Sequence, residues 1–171
     1  MAPLVALSGF MGSGKSSVGR LAARELGWRF VDLDQEIETR AGRSIPAIFA
    51  EEGEAGFRRI EEEILAQVVA SIPGDEGVVL ALGGGTVTTP RAVEMLRSRG
   101  RIVYLEVPVR EAWARVESSD RPLARSRKHF ETLARERRSV YLRTADVVVD
   151  TAGLTAAQVA ERVARVAEEG T

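Results

Sequence analysis

The stretch "GFMGSGKSSVG", residues 9–19, puts four glycines, three serines and one lysine directly after the short apolar run "LVALS", residues 4–8. Its spacing fits G-x-x-x-x-G-K-[ST], with Gly9, Gly14, Lys15 and Ser16 in the fixed positions. Glycines at 9, 12 and 14 let the backbone turn without Cβ clashes and bring several amides to bear on one point. In such a loop the amides cradle a phosphate chain, the lysine reaches the β and γ oxygens, and the hydroxyl that follows can ligate Mg²⁺. The competing reading is a glycine-rich strand-to-helix turn with an incidental lysine. Context favours the phosphate loop. "LVALS" suits a buried parallel strand, and "SSVGRLAARELG" (16–27) carries Val18, Leu21, Ala22 and Leu26 at helical spacing before a capping Gly27. A helix there adds its positive dipole end to the loop.

Four further apolar runs follow, "WRFVDLD" (28–34), "GVVLALGGG" (77–85), "RIVYLEV" (101–107) and "DVVVD" (146–150), with helical patterns between them. The alternation predicts a parallel sheet with helices on both faces, whose strands read as unbroken apolar runs because both faces are covered. Ligands of such sheets bind beyond the C-terminal strand ends. Three of those ends carry the unusual residues: Gly9 to Ser16, Asp32 with Asp34, and Gly83 to Gly85. "SIPGDEG" (71–77) and "TAGLT" (151–155) read as ordinary connections, and no repeat or linker divides the chain. A single domain over residues 1–171 is expected. Its last helix, within 154–169, should pack a stripe of Val159, Val163 and Val166 on the sheet.

Composition narrows the chemistry. With 24 basic against 25 acidic residues, no nucleic acid or anionic membrane is expected as partner. The chain has no cysteine and one histidine, His129, which removes disulfide scaffolds, Cys/His zinc sites and Ser-His triads together. Catalysis must then use carboxylates, lysine, arginine and a bound metal. "MAPLVALSGF" has no basic leader and no apolar run approaches about 18 residues, so a cytoplasmic, soluble protein is expected.

Asp32 and Asp34 lie two apart, and on an extended backbone both would face one side of the second strand's mouth. One could hold Mg²⁺ through water while the other orients or deprotonates a hydroxyl; alternatively they cap the helix that follows. In "GEAGFRRIEEEIL" (53–65), Arg58 stands beside Phe57 with Glu61 three residues on, on the same helical face. A guanidinium steadied by a glutamate can grip a carboxylate bidentately; the same charge pattern also describes a solvated face. Gly83, Gly84 and Gly85 follow a buried strand where ligand and backbone can touch. "ESSDRPLARSRKHF" (117–130) suits a mobile flap that closes over phosphates and brings Arg121 to the transferred group, or an exposed basic loop. His129, at its edge, has no metal-ligand partner in sequence and suits a surface or packing role.

Taken in order, "GFMGSGKSSVG", "DLD", "GEAGFRRIE", "LGGGTV", "RPL" and "RRSVY" resemble shikimate kinase, and they run from the first strand to the last. The resemblance implies a P-loop, nucleoside-monophosphate-kinase-like α/β fold of three layers, with a five-stranded parallel sheet in order 2-3-1-4-5. It also implies a substrate-binding region at about 33–61 and a lid at about 116–128. The implied activity moves the γ-phosphoryl of ATP to the 3-hydroxyl of shikimate, in chorismate and aromatic amino acid biosynthesis, with ATP and Mg²⁺ required. Carried over residue by residue, Gly12, Ser13, Gly14, Lys15, Ser16 and Ser17 would hold the ATP phosphates, with Ser16 on Mg²⁺ and Asp32 supporting the metal through water. Asp34 would bind the acceptor hydroxyls and serve as base. Arg58, Arg137 and Gly84, with its neighbours Gly83 and Gly85, would hold the rest of shikimate, with Phe49 and Phe57 as apolar walls. Arg115 would neighbour adenine, and Arg121 would reach the phosphates from the lid.

Two departures bear on adenine alone. The loop from Arg115 to Arg121 is one residue shorter than the family's common form, and "DTAGLT" (150–155) lacks an arginine that some members set against adenine. Monomeric action on a small molecule is expected. The rival readings are gluconate kinase or another small-metabolite kinase of the same fold, and a non-catalytic nucleotide-binding module. Arg58 with the triple glycine argues against the first, and the joint presence of Lys15, Asp34 and Arg121 against the second.

Overall fold

The structure, a computed structural model, describes residues 4–117 and 126–169. Strand β1 (Leu4–Ser8) is buried throughout, and its side chains alternate between two cores: Leu4 and Ala6 enter one, Val5 and Leu7 the other. Parallel neighbours flank it, β3 (Val78–Ala81) with Val78 in register with Leu4, and β4 (Gly100–Glu106) with Gly100 opposite the same residue. Outside them, β2 (Arg29–Asp32) pairs with β3 and β5 (Val147–Asp150) with β4. Every pairing is parallel and the order is β2-β3-β1-β4-β5, as the sequence resemblance implies.

Helices α1 (Lys15–Leu26) and α7 (Ala156–Glu168) cover the face that carries Val5, Leu7, Val79, Val103 and Leu105. On the opposite face lie α2 (Leu33–Ala41), α3 (Ile45–Ala70), α4 (Pro90–Arg97), α5 (Val109–Val116) and α6 (Arg127–Thr144). Each fully buried leucine in these layers, such as Leu7, Leu80 and Leu96, stabilises the fold by about 1.5–3 kcal/mol relative to exposure. The packed sheet is therefore the stiff element, and the strand ends inherit that stiffness. Helix α7 starts with a reciprocal cap: the Gln158 amide donates to Thr155 Oγ1 at 3.2 Å and the Thr155 amide to Gln158 Oε1 at 2.9 Å. Its buried stripe is Val159, Ala160, Val163, Ala164 and Ala167, with Val166 at the margin.

Three expectations change in detail. Leu21 is 39% exposed, and α1 instead buries Val18, Gly19, Ala22 and Ala23. Gly19 packs closely on Phe30, where a Cβ would come 2.5 Å from the ring. Coverage of both sheet faces fails at the edges, where Val148 of β5 and Arg29 of β2 are exposed. Finally, Asp32 and Asp34 do not share an extended segment: β2 ends at Asp32 and α2 begins at Leu33. The Asp32 side chain itself starts that helix by accepting from the amides of Asp34 and Gln35.

Candidate active site

The loop after β1 is shaped by its neighbours as much as by its glycines. Gly12 has φ of 80°, and a Cβ there would lie 2.7 Å from the Ala112 carbonyl oxygen, so α5 can seat directly on the loop backbone. Arg115, one turn further along α5, donates from Nη1 to the Gly12 carbonyl at 2.7 Å. Lys15 Nζ donates to the carbonyls of Gly9 (2.7 Å) and Phe10 (3.2 Å). Among the described residues no side chain caps the N-terminus of α1, which starts from Gly14 in the left-handed region. A helix start of that kind, at the end of the central strand, is suited to an anion.

Across the loop, the Ser16 hydroxyl donates to Asp32 Oδ2 at 2.7 Å, while Asp32 Oδ1 takes the helix-capping bonds. The capping reading of Asp32 is thus realised through Oδ1, while Oδ2 is tied to Ser16. Asp34, in the first turn of α2, points at the end of β3: a Cβ on Gly83 would meet its Oδ1 at 3.0 Å. Helical rather than extended geometry still brings both carboxylates to the mouth of the sheet.

The third strand end is held from two sides. Glu61 of α3 is only 2% exposed; its Oε1 accepts from Arg58 Nη1 and its Oε2 from Thr86 Oγ1, each at 2.7 Å. From α6, Arg137 Nη1 donates to the Gly84 carbonyl at 3.1 Å and the Tyr141 hydroxyl donates to the same oxygen. The guanidinium groups of Arg58 and Arg137 converge on Gly85, where a Cβ would collide with Arg58 and lie 2.6 Å from Arg137 Nη1. This close approach accounts for glycine at 85. Phe49 and Phe57 stack at 4.5 Å beside this point, and the Arg58 guanidinium carbon lies 5.2 Å from the Phe57 ring centre.

The solvated-face reading of Arg58 is therefore corrected: its side chain is 20% exposed and its partner Glu61 is buried. The structure brings together Lys15, Ser16, Asp32, Asp34, Arg58, Gly83, Gly84, Gly85 and Arg137 at the ends of β1, β2 and β3, with Ser13, Gly14 and Ser17 around the loop and Arg115 beside it. Arg121 and most of the expected lid lie outside the described residues. His129 is exposed, and its amide donates to Ser126 Oγ at the start of α6. Sequence reasoning missed Thr86 and Tyr141. Tyr141 falls four residues after Arg137, the spacing that puts both on one face of a helix, and that was the available signal. Burial pushes the Tyr141 hydroxyl well above the usual tyrosine range, and burial followed by the Glu106 charge pushes Tyr104 up to about 12.

A hydroxyl and a carboxylate joined at 2.7 Å, beside the start of α1, form a hard oxygen donor set. Such a set fits Mg²⁺, which is usually held by one or two carboxylates together with substrate phosphates and water. Among the described residues no group of three or more His, Cys, Asp or Glu side chains forms a protein-only metal cage.

A phosphate-gripping loop by itself would serve many nucleotide-binding proteins. What narrows the class is the other half of the site, where the Asp34 carboxylate meets Gly83 and the Arg58 and Arg137 guanidinium groups meet Gly85, together with the family that the whole chain matches: the protein is an ATP-dependent kinase with the P-loop fold. The family model described as shikimate kinase matches residues 11–168. A shikimate kinase of Halorhodospira halophila is 47% identical over 161 residues, covering 92% of this chain and 89% of its own. That of Aromatoleum aromaticum is 45% identical over 151 residues, covering 86% and 84%. Among solved structures, shikimate kinase from Acinetobacter baumannii in complex with shikimate superposes with a TM-score of 0.88 at 34% identity, covering 99% of this chain and 94% of that one. The Aquifex aeolicus enzyme gives 0.81 at 36% identity, with 96% of each chain covered. This chain belongs to the shikimate kinase family.

Proposed function

We propose that the chain transfers the γ-phosphoryl group of ATP to the 3-hydroxyl of shikimate, giving shikimate 3-phosphate and ADP, with the residues around Gly83–Gly85 as the acceptor site. The observation that carries this reading is the convergence of Arg58 and Arg137 on Gly85, next to the Asp34 carboxylate at Gly83. Two guanidinium groups suit a carboxylate, and a carboxylate suits hydroxyls, so a carboxylate-bearing polyol matches both ends.

In this reading the loop amides and Lys15 hold the β- and γ-phosphates and stabilise charge as it spreads in the transition state. Asp34 accepts a hydrogen bond from the attacking hydroxyl and takes its proton as the new P–O bond forms and the bond from the γ-phosphorus to the bridging oxygen breaks, that oxygen leaving on ADP. Arg58 and Arg137 orient the acceptor so that this hydroxyl faces the phosphoryl group, which is the larger part of the catalytic task in phosphoryl transfer. Ser16 and Asp32 would hold Mg²⁺, which when bound neutralises phosphate charge. Arg121 would add a cation from the lid. Arg115, already on the loop backbone through Gly12, would border the adenine. The reading also takes the enzyme as a cytoplasmic monomer without nucleic acid or membrane partners; near-neutral net charge and the lack of cysteine support it. Among the described residues, no helix is long and apolar enough to cross a membrane.

The test is a coupled assay of ADP release with shikimate, gluconate or no acceptor. Turnover with shikimate alone is expected. Equal turnover with gluconate, or ATP consumption independent of acceptor, would overturn the assignment.

A further inference from the structure

We propose that Tyr141 is a positioning residue for the acceptor: its hydroxyl, acting through the Gly84 carbonyl, sets the triple-glycine turn and Arg137 in the geometry that receives the acceptor carboxylate. The inference rests on the reading of Arg58, Arg137 and Gly83–Gly85 as the acceptor site.

Tyr141 is 1% exposed, and its ring packs against Tyr104 with centroids 5.0 Å apart, so the hydroxyl is delivered by the core. One turn earlier on α6, Arg137 donates to the same carbonyl oxygen. A carbonyl oxygen has two lone pairs, and these two donors fill both. The Gly84–Gly85 peptide plane is thereby fixed. Because a trans peptide sets its N–H opposite its C=O, the Gly85 amide is turned away from α6. Among the described residues, none accepts from the amides of Gly84 or Gly85, which leaves both for a ligand.

From the other side, Thr86 is tied to Glu61 and through it to Arg58. The turn is thus strung between α3 and α6, and Gly85 touches both guanidinium groups. A shift of this turn moves the two amides and both arginines together. Without the Tyr141 hydroxyl, Arg137 alone would hold Gly84, with the same group that must also receive the carboxylate. Burial keeps the hydroxyl protonated, so it remains a donor across the neutral range.

The experiment is steady-state kinetics of Tyr141→Phe beside Arg137→Lys, with melting curves for both. The phenyl ring keeps the packing on Tyr104, and kinetics measured well below the melting temperature remain readable if that temperature falls. For Tyr141→Phe the shikimate KM should rise about three- to tenfold, the size of one lost hydrogen bond, while kcat and the ATP KM stay within about twofold. An unchanged shikimate KM in Tyr141→Phe, with a raised one in Arg137→Lys, overturns the positioning role and leaves the site reading standing. A fall in kcat together with a rise in both KM values also overturns it, since that is the mark of a merely structural tyrosine. If Arg137→Lys itself leaves the shikimate KM unchanged, the acceptor-site reading fails, and the proposal with it.

Discussion

The Asp32 carboxylate divides its two oxygens between two tasks: Oδ2 receives the Ser16 hydroxyl at 2.7 Å, and Oδ1 receives the amides that begin α2. Asparagine keeps a capping oxygen but loses the charge, so Asp32→Asn separates the tasks. Its melting temperature should stay close to that of wild type, while the Mg²⁺ concentration for half-maximal activity rises about 10–100-fold. A Mg²⁺ titration beside a melting curve reads both, and an unchanged Mg²⁺ requirement would confine Asp32 to capping.

Lys15 opens α1 at the end of the phosphate loop, outside both cores, and its ammonium donates to the carbonyls of Gly9 and Phe10. Lys15→Met should therefore fold normally by circular dichroism while kcat falls at least about a hundredfold, because the lost charge acts on the transition state. Activity within about tenfold of wild type would refute that role.

Asp34 faces Gly83 from the first turn of α2. An amide in its place can still hydrogen-bond a hydroxyl but cannot take its proton. Asp34→Asn should lower kcat about 10²–10⁴-fold at saturating acceptor, with a much smaller change in acceptor KM. A change confined to KM would make Asp34 a binding group only.

Arg58 neutralises Glu61, a carboxylate that is 2% exposed. Arg58→Ala leaves that charge with Thr86 alone and should cost about 3 kcal/mol of stability, the low end for a broken buried pair because Arg58 keeps some solvent contact. Adding Glu61→Gln should restore most of the stability and none of the acceptor affinity. Denaturant unfolding and shikimate KM, measured on the single and double variants, separate the two roles. Recovery of both together would mean that Arg58 acts on the acceptor only through the fold.

The sheet was legible because parallel strands with covered faces read as short apolar runs, and five such runs alternate with helical patterns. The phosphate loop was legible because its chemistry demands fixed residue types at fixed spacing. The edges of β2 and β5 and the outward turn of Leu21 were not, since burial there depends on which neighbour packs where, as Gly19 against Phe30 illustrates. Asp34 reads from the sequence as part of an extended segment and instead stands in a helix: local capping by Asp32 turns the chain into α2 directly after the strand ends. Thr86 and Tyr141 escaped because their bonds, to Glu61 and Gly84, span 25 and 57 residues of sequence. Arg58 looked solvated for a similar reason, as its burial comes from a turn that follows β3.

The most direct measurement of the acceptor assignment is kcat/KM for shikimate against its neutral carboxamide analogue, in wild type and in Arg58→Ala. A charge-assisted bidentate contact predicts that wild type disfavours the carboxamide by on the order of a hundredfold. Arg58→Ala should reduce that ratio to about tenfold or less, with Arg137 left to supply the remainder. The same ratio in both enzymes would contradict the assignment of Arg58 to the acceptor carboxylate.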